Sequence, residues 1–113
     1  MKTINFAELE NMVNYNDYTA FVYNDGTQTM YSGGEISDDT LAPFYDADKI
    51  EVYGMNELLD IKELMQENFL AELEPAEGVD DEGYNSIATD FENGRGKIAK
   101  CELNGNIIYM LVW

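Results

Sequence analysis

Two strand-prone runs meet at Asn104-Gly105: Lys97–Leu103 before it and Asn106–Trp113 after it. Asn-Gly supplies the two positive-φ positions of a type I′ turn, whose twist matches that of the strands it joins. Ile107, Ile108, Tyr109, Met110, Leu111, Val112 and Trp113 form a nearly continuous apolar run. A strand that is apolar on both sides is a central one, covered on both faces. The chain is thereby expected to fold around an antiparallel sheet with this strand at its middle.

The other elements are read around that hairpin. Asn5 is a candidate N-cap, with Glu8 three residues on as in a capping box. Phe6, Leu9, Met12 and Val13 share one helical face, which predicts a helix over residues 5–14. A second hairpin is expected over 18–31, with a tight turn at Asp25-Gly26 between two β-branched and aromatic runs. Asp38–Phe44 fits a short helical turn. Lys49–Tyr53 alternates Ile50 and Val52 against Lys49, Glu51 and Tyr53, as a third strand does. The next segment fits either a hairpin through Asn56-Glu57 or a helix. Asp60 with Glu63 resembles a capping box, and Ile61, Leu64, Met65, Phe69 and Leu73 keep helical spacing. A helix over roughly 60–73, stopped by Pro75, is the preferred reading. Residues 74–96 read as an acidic, Gly-punctuated irregular stretch with an apolar island at Ile87–Phe91. The expected fold is α+β: an antiparallel sheet of four to five strands, with an N-terminal helix and a central helix packed on one face. Its core should include Phe21, Ile50, Val52, Ile61, Met65, Ile108, Met110 and Val112. With 113 residues, one domain over 1–113 is expected.

Charge is the unusual property. The chain has 23 acidic and 6 basic residues, a formal net charge of −17. Hydrophobic residues make up 45% of it, enough to fold despite that charge. Solubility asks for a net charge of magnitude only about 2–8 in a small domain, so the excess calls for a use. A negative surface repels nucleic acid and anionic membranes, which argues against binding either directly. No apolar stretch follows Met1–Asn5 and no run approaches 18 apolar residues, so the cytoplasm is the expected location.

Catalytic chemistry is poorly provided for. Histidine is absent, which removes the commonest general base and zinc ligand. Cys101, the single cysteine, lies in a predicted strand and reads as a small buried apolar residue. Gly94-Arg95-Gly96 reads as a turn. Asp46-Ala-Asp48 and Asp80-Asp81-Glu82 offer hard oxygen ligands, but neither has the order of a calcium-binding loop. Neither catalysis nor a metal or other cofactor is expected.

The acids are concentrated. From Glu57 to Glu92 there are twelve acidic residues and one basic residue, Lys62, about two-thirds of the net charge in under a third of the length. Asp60, Glu63, Glu67, Glu72 and Glu74 belong to the expected central helix or its end, and Glu77, Asp80, Asp81 and Glu82 continue the charge. Tyr84 and Phe91 stand beside them as candidate packing anchors. DNA presents one charge per ~1.7 Å of axis, and a folded array of carboxylates can occupy the Lys/Arg channel that meets it. The order of an opening helix, then Asn16-Asp17-Tyr18-Thr19, then a strand turning at Asn24-Asp25-Gly26 resembles the start of small acidic type II-A anti-CRISPR proteins. Size, acidity and the α+β mixture are similar to that group and to antirestriction DNA mimics. The resemblance implies a phage or mobile-element inhibitor, located in the cytoplasm of a bacterial host cell, that blocks Cas9, at its PAM-reading arginines or its nucleic-acid channel, or a restriction enzyme. The competing expectation is a mobile-element interaction or dimerisation domain that uses its Tyr-rich sheet or sheet edges, with incidental acidity.

Overall fold

The computed structural model describes residues 1–13, 21–32, 38–73 and 88–112. Their elements are β1 (Lys2–Ile4), α1 (Phe6–Met12), β2 (Phe21–Asn24), β3 (Thr29–Ser32), α2 (Asp38–Tyr45), β4 (Ile50–Gly54), a 3-10 turn (Met55–Glu57), α3 (Leu59–Leu73), β5 (Lys97–Leu103) and β6 (Asn106–Val112). Residues 88–93 are helical as well.

The fold is α+β, and the sheet is antiparallel throughout, in the order β1-β4-β5-β6-β2-β3. It has six strands. The three-residue edge strand β1, too short to show a period, adds to the four to five anticipated. β6 lies between β5 and β2, as its apolar run requires. Leu103 faces Asn106 across a two-residue turn, with φ of 54° at Asn104 and 83° at Gly105, the signature of type I′. The β2–β3 hairpin forms too, but its turn is not the two-residue one. Asn24 faces Thr29, so residues 25–28 make a four-residue loop. The Asn24 side chain accepts the Thr27 N–H at 3.2 Å, and the positive φ falls on Gln28. Residues 18–20 of the expected hairpin lie outside the described residues.

Helices cover both faces of the sheet, not one. On the first face α1 and α2 enclose a cluster in which Leu9, Leu41 and Phe44 meet Ile50, Val52, Ile108, Met110 and Val112. On the second, Met65 of α3 and Phe91 of the 88–93 helix meet Ile98, Tyr109 and Leu111. Successive strand residues point to opposite faces, so β6 feeds Ile108 and Met110 to one cluster and Tyr109 and Leu111 to the other. A strand covered on one face only would have alternated polar residues.

Local chemistry sets the helix ends. Asn5 caps α1 by accepting the Glu8 N–H at 2.8 Å, and the Glu8 carboxylate accepts the Asn5 N–H, completing the capping box. The start of α3 differs from expectation. Gly54 leads into the 3-10 turn, whose Glu57 carboxylate accepts the Gly54 N–H at 2.6 Å. The first α3 bond runs from Lys62 N–H to the Leu58 carbonyl, so Asp60 stands inside the first turn and is not the cap. Of the expected core, Ile50, Val52, Met65, Ile108, Met110 and Val112 are buried and Ile61 is partly buried. The Phe21 side chain lies outside the described residues.

Candidate functional site

α3 is where the described part of the acidic stretch takes shape. Its apolar positions Ile61, Leu64 and Met65 turn to the sheet, joined by Leu58 just ahead of the helix. That leaves Asp60, Glu63 and Glu67 exposed. Their spacing of three and four residues sets them in one stripe of like charge, which weakens the helix by about 0.2–0.5 kcal/mol per pair. No base relieves it. Lys62 has Leu58, Leu59, Met65 and Gln66 at the positions where a helical neighbour reaches it. Its ammonium donates instead to the Asn56 amide oxygen at 2.7 Å. None of Asp60, Glu63 and Glu67 forms an ion pair among the described residues.

Other acids of the stretch have structural work. The Glu57 carboxylate holds the Gly54 N–H and lies 3.4 Å from the Met1 amino group. The Gly54 N–H first, and that amino group second, hold the Glu57 carboxyl below its ordinary pKa. Asp90 lies 3.7 Å from Arg95. Glu92 is exposed and outside any such pair among the described residues. Glu72 lies on α3, but its side chain is outside the described residues, as are Glu74, Glu77, Asp80, Asp81, Glu82 and Tyr84 altogether.

Phe91 is not a surface anchor. It is 0% exposed and sits in the α3-side core. Residues 88–93, in the stretch that read as irregular, are helical, and Phe91 is buried on their sheet-facing side, while Ile87 lies outside the described residues. Gly94 ends that helix at φ 64°, with Gly94 N–H bonded to the Phe91 carbonyl and Arg95 N–H to the Asp90 carbonyl. This pair of bonds is a Schellman C-cap, and it accounts for Gly94-Arg95-Gly96 as a turn.

Among the described residues, two tyrosines of the sheet are internal. Tyr23 and Tyr109 are both buried and stack at 6.4 Å between ring centroids. Burial is the main cause that raises both phenol pKa values. Tyr53 lies under the Lys100 ammonium, 5.9 Å from it. Among the described residues the exposed ring is Tyr45 at the end of α2, 70% accessible, which the sequence did not single out. Its signal was the Asp38, Ala42, Tyr45 spacing, one helical face without a large aliphatic residue.

Two clefts accompany these surfaces. One of ≈ 450 Å³ lies at the end of the sheet, among Asp48, Lys49, Glu51, Lys100 and Glu102. Its charges of both signs face each other, with Lys49 and Glu51 at 3.9 Å. The other, of ≈ 440 Å³, lies between α1 and α2. Among the described residues no group of three or more His, Cys, Asp and Glu is arranged to hold a metal, and no helix is long and apolar enough to cross a membrane.

Cys101 is buried, its Sγ 3.8 Å from the Pro43 carbonyl, and burial pushes its thiol pKa up to about 12. The nucleophile is the thiolate, so a thiol titrating there is inert at pH 8. Ellman's reagent is expected to leave native protein unlabelled over an hour and to label one thiol per chain at once in denaturant. Prompt native labelling would place Cys101 at the surface. Comparison with protein-family models, with curated proteins and with solved structures gives no match for this chain.

Proposed function

We propose that this protein is a non-enzymatic inhibitor, which binds a basic nucleic-acid-binding protein through an acidic face centred on α3 and blocks its access to nucleic acid. The supporting observation is the stripe of Asp60, Glu63 and Glu67, exposed and without a compensating base, on a chain of net charge −17. Such a stripe is a cost to the free protein, through repulsion within the helix and with the rest of the surface. A Lys/Arg array removes that cost on contact, and opposite fields speed encounter. The partner class fitting the resemblance is a Cas9-type nuclease or a restriction enzyme, met in the cytoplasm of a bacterial host. Among the described residues, burial of Tyr23 and Tyr109 takes two of the sheet's tyrosines away from the rival dimerisation reading.

The stripe gives this reading a two-sided test. Glu67→Lys replaces a repulsive Glu63–Glu67 pair by an attractive one of the favoured orientation. It is expected to stabilise the free protein by about 0.4–1 kcal/mol in a urea melt. The triple reversal Asp60→Lys, Glu63→Lys, Glu67→Lys should raise the concentration needed to displace DNA from guide-loaded Cas9, or from a restriction enzyme, by about ten- to a hundredfold. Wild-type association should slow as salt rises, because exposed charges are screened within ~8–10 Å. A folded triple variant that competes as well as wild type would sink the proposal.

A further inference from the structure

We infer that the cleft between α1 and α2 takes an arginine side chain from a basic segment of a protein partner. The inference deepens the proposed function and rests on it for the basic character of that partner. The cleft holds ≈ 440 Å³, within the range of about 300–1,000 Å³ in which small ligands are bound.

Its floor is apolar. Leu41 is buried beneath it, and Phe6 and Tyr45 meet edge to face at 5.1 Å and 88° along it. Its rim is anionic: Glu10 comes from α1, Asp38 from the first turn of α2, and Asp46 from the residue after α2. No base lines the cleft, and none of these three carboxylates forms an ion pair among the described residues. The Tyr45 ring is 70% exposed there, the largest fraction among the exposed large hydrophobic residues of the described chain.

Charge, apolarity and an accessible aromatic edge together select among occupants. An anion is repelled by three carboxylates. A purely aliphatic group leaves them unsatisfied, and a compact ammonium makes little use of the ring and floor. A guanidinium matches all three features: its plane stacks on an aromatic ring, its fork of N–H donors meets carboxylates two at a time, and its methylenes lie on the floor. A stacked cation beside a carboxylate is the kind of anchor that concentrates binding energy at protein interfaces.

Discrimination between arginine and lysine at equal charge tests this. The probes are a hexa-arginine and a hexa-lysine peptide, titrated into the full chain at fixed salt, with affinity and amide chemical-shift changes as readouts. Wild type should bind hexa-arginine about tenfold more tightly than hexa-lysine, with the largest shifts at Phe6, Glu10, Leu41 and Tyr45. Tyr45→Ala, at a site 70% exposed, should remove most of that preference in a variant whose urea melt shows it folded, while hexa-lysine binding changes little. Tyr45→Phe keeps the ring and should retain the preference. The Asp38→Asn, Asp46→Asn double variant should weaken hexa-arginine binding about tenfold. Equal affinity for the two peptides, or a preference that survives Tyr45→Ala, would overturn the inference. The α3 triple reversal separates it from the face it accompanies. Loss of all discrimination with Tyr45→Ala, while α3 reversal has no effect on inhibition, keeps the cleft and refutes the α3 face; the opposite pattern refutes the cleft alone.

Discussion

Replacing Phe91 by alanine is expected to destabilise the protein by about 3–5 kcal/mol, measured as a shift of the urea unfolding midpoint at unchanged slope. Phe91 is fully buried with Met55, Met65, Ile98 and Leu111 around it in one cluster, so truncation leaves a cavity and not a relaxed surface. Against a total stability of about 5–15 kcal/mol for a domain, that is a large fraction. Phe91→Leu keeps most of the volume and should cost less than about 1.5 kcal/mol. Under the proposed function the same leucine variant should bind the basic partner as wild type does, because the carboxylates of α3 are untouched. A surface anchor would behave the other way, losing partner affinity on truncation at little cost in stability. A Phe91→Ala loss under about 1 kcal/mol would mean that the 88–93 helix does not pack on the sheet.

Phe91 also shows where sequence reasoning gave out. Its neighbours are acidic and Gly-punctuated, and the apolar island around it is too short to display a helical period, so its burial became visible only with the sheet in place. Features carried by side-chain-to-backbone chemistry over three or four residues were readable: the Asn5–Glu8 box, and the Asn104-Gly105 turn with its two positive φ angles. The β2–β3 loop was legible as a turn but not in length, because Asn24 captures the Thr27 N–H and moves the positive φ two residues on, from Gly26 to Gln28. The doubly apolar β6 already implied helices on both faces. Placing both on one face ignored that implication, and Ile98 with Ala99, neighbours on β5 that are both fully buried, corrects it. The stripe Asp60, Glu63, Glu67 was legible from spacing alone. The α1–α2 cleft was not, since it joins residues some thirty positions apart whose meeting depends on two helices sharing a face.

Gly94→Ala is expected to cost about 2–4 kcal/mol, more than Gly105→Ala, although both glycines have positive φ. At Gly105, φ is 83° and an added Cβ meets nothing within 4 Å, so the cost is the conformational one of about 1–2 kcal/mol. At Gly94, φ is 64° and the same atom would collide with the Asn56 side-chain amide. Asn56 has to move, and its amide oxygen is the acceptor that holds the Lys62 ammonium at 2.7 Å. The contact thus ties the Schellman cap of the 88–93 helix to the turn that launches α3, and moving it disturbs both. A double-mutant cycle isolates the steric part. In an Asn56→Ala background the alanine at 94 has room, and its cost should fall to that of Gly105→Ala. The coupling between the two sites is then about 1–2 kcal/mol, well outside the 0.3–0.5 kcal/mol scatter of independent sites. Additivity within that scatter would mean that the left-handed backbone alone makes glycine necessary at 94.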